Sequence, residues 1–96
     1  MIFNLLISAT VIKKLNDKHG VTREEVEECF YNRTKGLLED TREVNKTKPP
    51  TMWFIAETND GRLLKVVFIE LSNRKYEVKT CYEPNTNEVK IYGKFA

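Results

Sequence analysis

The chain holds one histidine, His19. It ends an apolar helical pattern. There an imidazole can serve as a general acid or base, or simply as a helix-end cation favoured by the dipole. Period-two alternation distributes the other reactive side chains between the faces of strands. Over 75–82, Tyr76, Val78, Thr80 and Tyr82 share one face, and Lys75, Glu77, Lys79 and Cys81 share the other. Over 63–69, Leu64, Val66 and Phe68 oppose Leu63, Lys65, Val67 and Ile69. Placing Leu64, Val66, Phe68, Val78 and Tyr82 against helices leaves Lys65 and Lys79 on an open face. Asp40 with Arg42, and Trp53 with Glu57, join them if their strands turn the same way.

Such a surface suits cleavage of RNA. Arg42, Lys65 and Lys79 position phosphate and stabilise its pentavalent state. Trp53 stacks a base. Asp40 or Glu57 takes the proton of a 2′-hydroxyl, and His19 or Tyr82 acts as the acid. Tyr82 is the outlier, because strict alternation turns it away from Lys79 and only a β-bulge brings it round. The chemistry calls on no metal and no cofactor. The plainer reading of the same residues is a solvated sheet face with Trp53 in the core.

Length limits what else the chain can be. Its 96 residues make a single domain, 1–96, with no room for a second or for a large cofactor fold. A net charge of +2 is too small to mark a nucleic-acid binder by itself. No apolar run approaches the ~20 residues that span a bilayer. The opening MIFNLLI lacks the basic start and small-residue cleavage site of a signal peptide. These features predict a cytoplasmic protein with no membrane association, as monomer or homodimer. Cys29 and Cys81 have no CxxC spacing and sit in apolar patterns, which predicts reduced core thiols. One histidine and two distant cysteines make no zinc ligand set.

The elements that must position these groups follow from periodicity and capping. Residues 2–7 read as an edge strand. Ser8 caps a helix that carries Val11, Ile12 and Leu15 at helical spacing and ends at Gly20. Thr22 and Glu25 form a capping box for a second helix, with Val21 and Val26 placed as a hydrophobic staple. LLEDTR, MWFIAET, RLLKVVFIEL and KYEVKTCY then read as strands, the middle two joined by an Asn59-Asp60-Gly61 turn. Asn85 and Glu88 repeat the capping-box spacing before a short C-terminal helix. Val89, Ile91 and Phe95 also alternate, so a further strand stays open for that segment. The expected class is α+β: two N-terminal helices on one face of a four-stranded antiparallel meander, an N-terminal edge strand, and a short C-terminal helix.

The segment KLNDKHGVTREEVEECF resembles the opening of the BrnT-like toxins, relatives of the RelE group. The likeness runs through Lys18-His19-Gly20, Glu25, Val26 and Phe30, then Asp40 and Arg42, then DGRLLKVVFIE. It implies a RelE-like fold, endoribonuclease activity that inhibits translation, RNA as substrate, and a small ribbon-helix-helix antitoxin as partner in a bacterial toxin–antitoxin pair. Two stretches depart from the family. Pro50-Thr51-Met52 stands where the family has a Glu and an Arg, and Thr80-Cys81-Tyr82 stands where it has an Arg. An accessory binding module of a mobile element on the same fold is the alternative.

Overall fold

In the computed structural model, which describes residues 4–41, 49–72 and 74–96, three helices sandwich a five-stranded sheet. The strands are β1 (Leu5–Leu6), β2 (Leu38–Glu39), β3 (Thr51–Glu57), β4 (Leu63–Glu70) and β5 (Tyr76–Tyr82). The helices are α1 (Ala9–Lys14), α2 (Arg23–Asn32) and α3 (Thr86–Phe95). The class is α+β. The last four strands form the expected antiparallel meander, in the order β5-β4-β3-β2. β1 does join as an edge strand, but it pairs parallel to β5, so the sheet is mixed. The expected second strand shortens to Leu38–Glu39, and Arg42 lies outside the described residues.

Local chemistry explains the helix ends. Ser8 Oγ accepts the Val11 amide at the start of α1. The helix does not run uniformly to Gly20, because Leu15–His19 widens into a π-helical turn. Gly20 then closes it at φ 60°, the left-handed region where a side chain would be strained. At α2, Thr22 Oγ1 accepts the Glu25 amide while Glu25 Oε1 accepts the Thr22 amide. We expect Thr22→Ala to cost about 1 kcal/mol, the usual loss for an N-cap, read as a lower urea midpoint. The segment after Pro84 is a helix and not a strand, and its Asn85/Glu88 capping box is complete.

The core lies between α2 and the inner face of the sheet. Phe30 of α2 packs edge-on against Phe54 and Phe68, at 4.9 and 5.5 Å between ring centroids. Leu64, Val66, Phe68 and Val78 are buried there, as assigned from alternation. Tyr82 is not. Val67 pairs with Thr80 and Phe68 with Val78, which leaves Lys79 as an extra residue in β5. Beyond this bulge the faces exchange. Cys81 turns inward opposite Val66, and Tyr82 turns outward opposite Lys65.

The outer face is not open. α3 crosses it, with Tyr92 buried against Trp53 at 5.7 Å and its hydroxyl donating to the Gly36 carbonyl. This corrects the placement of Lys65 on an exposed surface. Among the described residues, no helix is long and apolar enough to cross a membrane.

Candidate functional site

The bulge and α3 together build a line of polar side chains beneath the helix. Lys65 projects from the centre of β4 and is only 6% exposed. Its Nζ donates to Glu88 Oε2 at 2.7 Å and lies 4.4 Å from the centroid of the Trp53 ring. Tyr82, turned outward by the bulge, donates its hydroxyl to the same Glu88 oxygen at 3.0 Å. The His19 ring stands 5.6 Å from the Tyr82 ring, at a tilt of 42°. A continuous chain therefore runs His19, Tyr82, Glu88, Lys65, Trp53.

Glu88 does two things with one carboxylate. Oε1 accepts the Asn85 amide and completes the helix cap, while Oε2 collects Lys65 and Tyr82. Burial pushes its carboxyl up. The hydrogen bonds from Lys65, the Asn85 amide and Tyr82, together with the Lys65 charge, outweigh burial and hold it below the usual glutamate range. A depressed folded-state value stabilises the fold above the unfolded-state value of about 4.3, and that contribution is lost as pH falls through the folded value. The urea midpoint should therefore fall between pH 6 and pH 3 more steeply in the native chain than in Glu88→Gln. Equal slopes would show that Glu88 carries no such linkage.

The line opens at one side into a groove of about 630 Å³, whose walls include Leu38, Asp40, Trp53, Lys65, Glu88 and Phe95. Asp40 is thus near the line, at its mouth. Phe95, on the rim, is 64% exposed. Two other anticipated residues do not join. Glu57 lines a separate groove of about 740 Å³ with Asn32, Asn59 and Val89. Lys79 is exposed and donates to Glu77 at 3.3 Å, while its carbonyl accepts Lys14 Nζ. Arg42 lies outside the described residues. Trp53 is buried, with Lys65 over its ring and Tyr92 beside it.

Sequence reasoning missed Glu88 as a site residue. Its capping-box position was legible, but a capping glutamate has a second oxygen whose partners depend on the sheet beneath. Every buried side-chain nitrogen and oxygen among the described residues has a partner. The line is thus a fully satisfied network. No group of three or more His, Cys, Asp or Glu among the described residues is placed to hold a metal ion. The two thiols are buried in the core, with Cys81 turned to the opposite face of the sheet from Tyr82. Burial pushes Cys29 up to about 12 and raises Cys81 as well, so neither is a thiolate near neutral pH.

Comparisons with protein-family models, with curated proteins and with solved structures find no match to this chain.

Proposed function

We propose that the chain is a RelE/BrnT-like toxin that cleaves RNA through the line from His19 to Lys65 and is neutralised by a small antitoxin. The observation that carries this reading is the β5 bulge, which brings Tyr82 onto the Lys65 side and beside His19. Lys65 and Tyr82 both donate to one carboxylate oxygen. A phosphate oxygen accepts the same pair of donors, so a backbone phosphate can replace Glu88 between them. Lys65 then stabilises the charge that develops on phosphorus, and His19 exchanges the proton at the 2′-hydroxyl or the leaving oxygen. Exchange requires α3 to yield, since Glu88 is carried by that helix.

A second reading rests on the same ion pair. Lys65 is buried and already neutralised by Glu88, which suits a non-enzymatic binding module that never exposes its cation.

Induced expression separates the two. The toxin reading expects growth arrest and fragmented total RNA, both lost in His19→Gln, with Tyr82→Phe weaker by roughly tenfold or more. Normal growth, intact RNA and no RNA affinity in the unmutated chain would favour the binding module.

A further inference from the structure

We infer that Arg62 is the positioning residue that sets His19 against Tyr82; its consequence for catalysis rests on the ribonuclease reading above. Arg62 follows the tight turn between β3 and β4 and reaches the end of the helical segment at His19 and Gly20. Its guanidinium is used along its whole fork. Nη2 donates to the His19 carbonyl at 2.9 Å and Nη1 to the Gly20 carbonyl at 2.9 Å. Nε donates to Glu83 Oε2 at 2.9 Å, and Nη1 also reaches the Glu25 carboxylate at 3.2 Å.

These partners are the immediate surroundings of the proposed acid–base pair. His19 is held through its own backbone, where the π-helical turn meets the left-handed Gly20. Tyr82 is held through Glu83, the next residue in the chain. One rigid plane therefore spans both halves of a ring pair that comes from elements 63 positions apart (82 minus 19). Arg62 bonds the His19 and Gly20 carbonyls and the Glu83 carboxylate, so its action on the two rings passes through the chain that carries them. Lysine carries the same charge, but its single ammonium cannot reproduce a fork of donors fixed in a plane. Arg62, read in the sequence only as the first residue of a strand, thus acquires a task in the site.

The single histidine makes the test clean, because its ring signals need no assignment. In the full chain, the contact between the His19 and Tyr82 rings is read by NMR as a nuclear Overhauser effect. The ring-current shift of the histidine is a second readout, with Tyr82→Leu as the reference for its loss. Arg62→Lys should abolish the contact and move the His19 shift toward that reference. It should also lower the RNA cleavage rate by between about tenfold and a hundredfold with KM unchanged, the usual effect of a misplaced group. An intact His19–Tyr82 contact in Arg62→Lys overturns the inference, and so does a lost contact with cleavage unchanged. Should Arg62→Lys not fold, Glu83→Gln carries the test. Its side chain is 65% exposed, so the core is spared. It should weaken the same contact, and no change overturns the inference. If the unmutated chain cleaves no RNA, the ribonuclease reading fails by itself, and the ring contact alone decides what Arg62 does.

Discussion

Phe68→Ala should destabilise the fold by about 4 kcal/mol, within the range measured for buried phenylalanine truncations. Phe68 is fully buried and has three aromatic neighbours, Phe30 at 5.5 Å, Tyr76 at 5.5 Å and Phe54 at 5.9 Å. Removing the ring deletes its transfer free energy and leaves a cavity that stiff aromatic walls refill poorly. For a domain of this size the melting temperature should drop on the order of 20 °C. Phe68→Leu keeps most of the volume and should lose much less. Calorimetry or urea titration decides. A loss below about 1.5 kcal/mol for the alanine variant would mean that the aromatic cluster is not the centre of the core.

Lys65→Ala should destabilise by about 3 kcal/mol, the lower end of the range for breaking a buried ion pair from one side. The Lys65 side chain is 8% exposed and that of Glu88 18%, so the orphaned carboxylate is only partly rehydrated. The lysine stem and ammonium also leave the Trp53 face, and with them a cation–π contact. Removing both charges is different. Lys65→Met with Glu88→Gln keeps the stem, the helix cap and most of the packing, and should lie closer to the native stability than Lys65→Ala. A loss in the double variant equal to the sum of the losses in Lys65→Met and Glu88→Gln would show that the pair is not coupled. The same substitution bears on function only after its stability has been measured, because Lys65 is part of the packing under α3.

Much of this architecture was legible because its signals are local. Thr22 with Glu25 and Asn85 with Glu88 announce helix starts through bonds that span three residues. Gly20 announces a helix end through its own φ. The meander follows from alternation and from a turn closed by Thr58 and Arg62, whose backbones bond at 2.8 Å. What escaped is non-local. The parallel pairing of Leu5 with Tyr76 joins residues far apart in the chain, and nothing in either segment encodes direction. The seat of α3 on the outer face depends on Trp53, Ile55 and Lys65 accepting Tyr92 and Glu88. A lysine in mid-strand reads as solvent-facing until a carboxylate arrives from another element. The site was legible in its parts, with His19, Lys65, Trp53 and Tyr82 all named from the sequence. Its assembly was not, since the exchange of faces at Lys79 leaves no mark on the residue types around it.

That bulge makes the site a matter of parity. Counting along β5 from Val78, which faces the core, the phenol of Tyr82 should again face the core, and one extra residue changes the count from even to odd. Deleting a single residue there would leave composition and charge pattern almost untouched. Removing Lys79 would remove the bulge and still leave Cys81 inward and Tyr82 outward, whereas regular pairing of the strand at its present length would send the thiol outward beside Lys65 and drive the phenol into the volume that Cys81 fills. The side on which Tyr82 stands is therefore set by how β5 pairs with β4, and the irregular pairing at Lys79 is as much a part of the site as any side chain in it.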